Sequence, residues 1–360
     1  VYIFIISPGF QYQNSRALLT PLLLWGKNLK KYNYNIKIKS KISDKYEGDI
    51  IAIDSKLHRN EWSYNEIKIL KEFKNLKERF NKVIYIDTAD SSGWIQSKLL
   101  PIVDKYWKFQ VLKNKKLYLE PHYDKRIFTD YYHKKNKIFD DNQYFSSRIP
   151  NLEDLDKIRV FWNSSMANYS KYSHFLSLIY KKTQIKYFLK YRYNEINNFD
   201  IKKNNIFCRF SDLNYRKTIS FHRKQIKKKL SNFENLNFSK INRTKYFEEL
   251  KRSKVSISPF GWGEIAYRDF ETFINKAILI KPSMEHLTTW PNLYINKKTY
   301  LCFDWSFNNL LEIIENVLDN YSNYKEIANE GYNNYIKYTS SDESSELFEK
   351  RFDFLIQDII

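Results

Sequence analysis

Short, continuous apolar runs separated by amphipathic stretches set the rhythm of the first 130 residues. "VYIFIIS" (1–7), "DIIAID" (49–54) and "KVIYIDTA" (82–89) carry little polar alternation, as expected of strands covered on both faces. Between them, "SRALLTPLLLWGKNL" (15–29) and "YNEIKILKEFKNLKERF" (64–80) have helical spacing, and Pro21 should break or kink the first. A polar stretch through residues 134–157 reads as a linker, after which the pattern restarts. Strands are expected at "IRVFWN" (158–163), "NNIFCRFS" (204–211), "KVSISPF" (254–260), "AILIKP" (277–282) and "TYLCFD" (299–304), with helices among them. The tail beyond residue 320 reads as two helices. Strand alternating with helix predicts βαβ units and parallel sheets, hence an α/β fold. At 360 residues the chain suits two domains. The expected division is 1–150, 151–325, and C-terminal helices over 326–360 packing back on the first domain.

Composition narrows the classes. Apolar residues make up 42% and aromatics 18%, which excludes a disordered chain. Cys208 and Cys302 stand far apart with no metal-ligand spacing, so neither a disulfide scaffold nor a zinc site is expected. The formal charge of +20 is part compositional drift, since Lys, Asn, Ile and Tyr are abundant throughout. It also suits anionic partners: nucleic acid, lipid headgroups or phosphorylated small molecules. No apolar run approaches the ~20 residues that cross a bilayer. "VYIFIIS" is too short and lacks the basic flank of a signal peptide. A cytoplasmic protein, peripheral at the inner membrane face, is the expectation.

The chemistry concentrates in "SISPFGWGEIAYRDFETFINKAILIKP" (256–282). The chain has only seven glycines, yet Gly261 and Gly263 sit here on either side of Trp262. A strand, a glycine-containing loop and a helix together bring backbone N–H groups and a positive dipole end against an anion. Glu264, Arg268 and Glu271 are spaced i, i+4, i+7 and would form one stripe, with Ala266, Phe270, Phe273 and Ile274 facing a core. A carboxylate there can grip ribose hydroxyls while loop amides hold a pyrophosphate and arginine balances its charge. The plainer alternatives are a solvated Glu264–Arg268 ion pair and a core tryptophan.

This segment resembles the donor-binding segment of GT-B glycosyltransferases, in particular the exostosin-like and group 1 enzymes. Gly261, Gly263, Glu264, Tyr267, Arg268 and Glu271 match the pattern position by position. Many members carry Ala-Gly before the last strand where this chain has Lys276-Ala277. The resemblance spans about residues 158–320. It implies two Rossmann-like domains facing a cleft, Glu271 on the nucleotide ribose, and Gly261–Glu264 with Trp262 over the diphosphate and sugar. It further implies phosphate contact from Arg209 with Ser211, just after a strand, and from Arg223, next to His222 on the following helix. Residues 202–230 carry ten Lys or Arg against one Asp, which agrees with an anionic ligand.

An inverting transferase needs a general base on the acceptor side. The rims "IDSKLHR" and "IDTADSSG" offer His58, Asp87 and Asp90, although strand-end aspartates also cap helices or tie loops. Residues 103–135, rich in aromatics and cations, could line a glycan or lipid-linked acceptor groove, stack single-stranded nucleic acid, or simply pack. No DxD pair follows a strand, and GT-B enzymes as a class generally need no divalent ion, so no metal and no cofactor beyond the nucleotide-sugar donor is expected. The reading is transfer from a nucleotide-diphosphate sugar to a saccharide or lipid-linked acceptor, in surface polysaccharide or lipopolysaccharide synthesis. Its competitors are a nucleic-acid-binding protein, an inactive GT-B homologue acting as a partner, and, more weakly, a sugar-nucleotide epimerase. No nucleic-acid-binding signature occurs, so no nucleic-acid partner is expected.

Overall fold

A computed structural model describes residues 1–191 and 202–360. Its first sheet has the order β2 (Asn35–Lys39), β1 (Tyr2–Ile6), β3 (Ile50–Asp54), β4 (Lys82–Asp87), β5 (Lys105–Lys108), β7 (Ile158–Val160), every pair parallel. The continuous apolar runs occupy its centre: Ile5 pairs with Ala52 and Ile53 with Tyr85, and all four side chains are buried. α1 (Gln13–Trp25) and α2 (Glu66–Arg79) cross over between these strands. Pro21 lies inside α1 without ending it. β2, absent from the sequence expectation, is an edge strand whose "NIKIK" alternates and keeps Lys37 and Lys39 outward.

β7 was expected to open the second half, but it pairs with β5 through Trp107 and Arg159 and so completes the first sheet beyond residue 150. The aromatic segment 103–135 contributes β5, β6 (Gln110–Leu112) and α3 (Ile127–Asn136). Its Tyr106, Trp107, Phe109, Tyr123, Phe128 and Tyr132 are all buried, so most of its aromatics are core.

The second sheet runs β12 (Leu301–Phe303), β10 (Ile278–Pro282), β9 (Ser253–Ile257), β8 (Asn204–Phe207), again wholly parallel. α4 (Ser173–Thr183), α5 (Lys217–Leu230), α6 (Arg243–Arg252), α7 (Tyr267–Ile274) and α8 (Leu310–Asp319) accompany it. The fold is thus α/β, with two Rossmann-like halves facing one another.

The halves are closely joined. β6 pairs antiparallel with β11 (Leu287–Thr289), a ladder with one strand from each side. The polar stretch after α3 is less a free linker than a clasp: Asp140 accepts from the Lys217 N–H at the head of α5, and Arg216 reaches Asp124 at 2.5 Å. α9 (Tyr321–Thr339) packs on α7 and β10, and α10 (Ser344–Gln357) crosses to the first half. There Glu349 accepts from Asn28 at 2.9 Å and pairs with Lys31, while Asp353 accepts from Tyr34 at 2.5 Å.

Candidate functional site: a cavity under the glycine loop

At the carboxyl ends of β8 and β9 a cavity of about 780 Å³ opens between the halves. Open α/β sheets hold ligands at this end, and the volume suits a ligand of nucleotide-sugar size. Arg209, Ser211, Arg223, Gly261, Trp262, Gly263, Tyr267, Arg268 and Glu271 all line it. The loop is a tight turn in which the Gly261 N–H donates to the Gly263 carbonyl at 3.0 Å.

The two glycines serve different ends. A Cβ on Gly263 would lie 2.1 Å from the Asp90 carbonyl oxygen, so the second half rests directly on the backbone of the first. A Cβ on Gly261 would meet nothing closer than 3.7 Å. Trp262 is 45% exposed, with the Arg126 guanidinium over its ring at 5.5 Å and the Tyr215 ring tilted against it at 5.4 Å. It is a lip rather than core, and its carbonyl accepts from Arg126 Nε at 2.7 Å.

Glu264 does not join the stripe expected for it. α7 begins only at Tyr267, so helical spacing does not extend back to residue 264. Its carboxylate turns away from the cavity and accepts from the Ser92 hydroxyl (2.5 Å) and N–H (3.2 Å) of the other half. Burial alone would raise its pKa, but His286, at 3.9 Å, and Ser92 hold it below the usual glutamate value. It is a clasp between domains. Behind it, wholly buried Lys281 bonds the Glu264 carbonyl and Asp269, and Asp269 also accepts from Ser258, Tyr294 and the Ala266 N–H at the head of α7.

The helix positions do hold for Arg268 and Glu271. Glu271 accepts from Tyr246 at 2.8 Å and faces Arg243 at 3.3 Å, and burial pushes its pKa up. Arg268 donates to the Arg209 carbonyl at 2.5 Å, leaving its Nε without a partner. Arg223 lies beneath the loop, bonded to the Ser211 and Phe260 carbonyls and stacked over Tyr215 at 4.7 Å. Burial lowers its pKa to about 10. Among the described residues no carboxylate comes within ion-pair distance of Arg223 or Arg268. Two such cations in one wall favour an anion. Arg209, by contrast, spends its fork on Glu249, bonded at 2.7 to 3.0 Å. Ser211 accepts from the Leu213 N–H.

His222 secures the loop from below. Its Nε2 accepts from the Phe260 N–H at 3.1 Å, which puts the proton on Nδ1 facing Tyr132 Oη at 2.9 Å, while Tyr132 donates to the Trp305 carbonyl. Burial, with Arg223 and Lys281 nearby, drives its pKa well down, so the ring is neutral.

Of the three first-half candidates, only Asp90 lines the cavity. Asp87 is fully buried, held by Lys108 at 2.6 Å and Tyr106 at 2.9 Å, and belongs to the core of its sheet. His58 is buried against Phe73 with Glu72 3.1 Å away, outside the cavity lining. Asp90 is positioned by Asn14, whose amide nitrogen donates to Asp90 Oδ1 (2.8 Å) and the Thr88 carbonyl (2.6 Å). The Asn14 amide oxygen accepts from Tyr267 at 2.8 Å, which joins the carboxylate to the head of α7 across the domain boundary. Sequence reading missed Asn14, Arg126, Tyr215, Arg243 and Tyr246. Asn14 had a local signal in the polar stretch "SPGFQYQNSR", which runs from the end of β1 into α1, and Arg126 lay within the aromatic- and cation-rich segment 103–135.

Lys276 meets the departure noted before the last strand by taking φ +47° itself, with its ammonium over the Tyr332 ring at 4.6 Å.

No family model matches the chain, and no curated protein matches it. Solved structures do. The chain is similar to HepE of Anabaena in complex with UDP, at 8% identity over 99% of each chain and a TM-score of 0.48. A glycosyltransferase from Rickettsia africae matches at 12% identity over 99% of this chain and 98% of that one, with a TM-score of 0.45. An α-glucosyltransferase in complex with UDP and a DNA 13-mer matches at 10% identity over 99% of each, with a TM-score of 0.43.

Proposed function

We propose that the protein is a glycosyltransferase that takes its sugar from a nucleotide diphosphate held in the cavity under the glycine loop. The observation that carries this reading is the pairing, in one wall, of Arg223 and Arg268 with no carboxylate within ion-pair distance among the described residues, beside the half-buried turn at Gly261. A diphosphate there would supply the charge those guanidinium groups lack. Glu271, held by Tyr246 and Arg243, is the ribose contact, and Trp262 closes over the sugar. No divalent ion is called for, because arginines and loop amides carry the leaving-group charge.

Asp90 is the general base, facing this wall from the other half. Its Oδ1 is held by Asn14, which leaves Oδ2 to take the proton of an acceptor hydroxyl while the hydroxyl oxygen attacks the anomeric carbon. The bond to the nucleotide diphosphate breaks on the opposite face, so configuration inverts. The acceptor is a saccharide or lipid-linked glycan, and the product a surface polysaccharide or lipopolysaccharide.

The test is release of nucleoside diphosphate from UDP-, GDP- and CDP-activated sugars by the wild type and by Asp90→Asn. Release by the wild type, cut by about 10²–10⁴-fold in the variant with nucleotide affinity retained, supports the assignment. Binding without release from any sugar nucleotide would leave an inactive homologue acting as a partner. Unchanged release by Asp90→Asn removes Asp90 from the reaction.

A further inference from the structure

Along α4 the usual polarity of a surface helix is reversed. Ser173, Ser177 and Tyr180 turn inward and are buried. Phe175 and Leu178, three residues apart and so on one face, are 62% and 44% exposed. Tyr172 just before the helix and Ile185 just after it are 63% and 52% exposed. Gln184, at φ 56°, ends α4 and turns the chain so that the single helical turn over 186–189 packs beside it. Scattered apolar surface residues need no explanation, but a cluster of four on one short segment does.

The surrounding charge is of one sign. Residues 171–190 contain Lys171, Lys181, Lys182, Lys186 and Lys190 and no acidic residue. Lys27, from the turn after α1, is close enough to Lys186 for the two charges to repel. The only carboxylate paired with this set is Glu248, 3.9 Å from Lys171, among the described residues. Protein–protein interfaces are depleted in lysine, whereas an aromatic and aliphatic centre fringed by lysines suits the headgroup region of an anionic bilayer. The patch also adjoins the cavity, because Arg243 of its lining donates to the Lys171 carbonyl at 2.7 Å and the Ser170 carbonyl at 3.0 Å.

We propose that the outer face of α4, with Tyr172 and Ile185, docks on an anionic lipid bilayer, Phe175 and Leu178 entering the interface while the lysines meet the headgroups. No helix among the described residues is long and apolar enough to cross a membrane, so the contact is shallow and reversible. It would hold the mouth of the cavity near a lipid-anchored molecule, and it stands whether or not the chain transfers sugar.

The test sediments the purified chain with vesicles of phosphatidylglycerol and phosphatidylcholine, or of phosphatidylcholine alone. The wild type is expected to bind the anionic vesicles, less so as salt rises, and to leave the neutral ones largely unbound. Phe175→Ser with Leu178→Ser should lower binding about tenfold, and Lys181→Glu with Lys182→Glu at least as much. Neither pair should move Tm, since all four side chains are exposed. Failure of the wild type to bind anionic vesicles, or variants that bind as it does, overturns the proposal. So does a dimer that Phe175→Ser with Leu178→Ser splits while vesicle binding persists, which would assign the patch to a second copy of the chain.

Discussion

The carboxyl ends of the two sheets look alike in sequence, each a strand running into polar residues, yet they spend those residues differently. On the first sheet the polarity is consumed internally. Asp54 accepts from Ser7, Ser15, Thr88 and the Lys56 N–H, and Asp87 is locked to Lys108 and Tyr106. Beyond the second sheet Arg209 is likewise spent on Glu249, but Arg223 of α5 and Arg268 of α7 bond carbonyl oxygens and lie over aromatic rings with no carboxylate within ion-pair distance among the described residues, and Glu271 lines a cavity. A polar strand end therefore points to a ligand only where its charge is not already answered within the protein. Asp90 is the exception on the first sheet, because it lies beyond the strand and meets the loop of the opposite half.

The sharpest break in that comparison is Asp90→Asn beside Asp87→Asn. The first should cost about 10²–10⁴-fold in turnover at little cost in Tm. The second leaves Lys108 buried without its counter-charge and should cost about 3–5 kcal/mol of stability, with activity lost only as the fold is lost. Denaturant melts and initial rates on both variants separate the two. Next comes Gly263→Ala against Gly261→Ala. The methyl at 263 would clash with the Asp90 backbone, which neither half can move freely, so about 1–3 kcal/mol and most nucleotide binding should go. The methyl at 261 has room within the protein and should leave stability nearly unchanged, so a loss of nucleotide affinity there would report the ligand's own approach to the loop.

Arg223→Lys keeps the charge and loses the fork, so nucleotide affinity should fall by roughly tenfold, read by titration. The smallest effect is on pH. His222 is neutral when folded and binds a proton near pH ~6.5 when unfolded. Below that pH the unfolded state binds more protons, so stability falls by up to about 1.4 kcal/mol per pH unit from this group. Protonation would also remove the acceptor of the Phe260 N–H, loosening the loop. Tm followed from pH 7.5 to 5 should fall more in the wild type than in His222→Gln.

Much of this was legible in the chain. Uninterrupted apolar runs marked β1, β3, β4 and β10, and the glycine pair marked the loop. What remained hidden was set by contacts distant in sequence. Glu264 and Glu271 flank the same helix start, and nothing local says that Ser92, 172 residues away, claims the first. Asp87 and Asp90 sit three residues apart, and only the position of Lys108 on the neighbouring strand makes one a core ion pair. Gly263 read as freedom for a ligand to approach, whereas the backbone that approaches it is the protein's own. β7 looked like the start of a new domain because three apolar-flanked residues do not say which sheet edge they join.

The central claim, a nucleotide-diphosphate site under the glycine loop, is tested most directly by calorimetric titration with UDP, GDP, CDP and CMP of the wild type and of Glu271→Ala. Saturable binding of one diphosphate, weaker for the monophosphate and lost in Glu271→Ala, is the predicted result. Absence of binding to any of them, alongside salt-dependent binding of single-stranded RNA or DNA, would contradict the account.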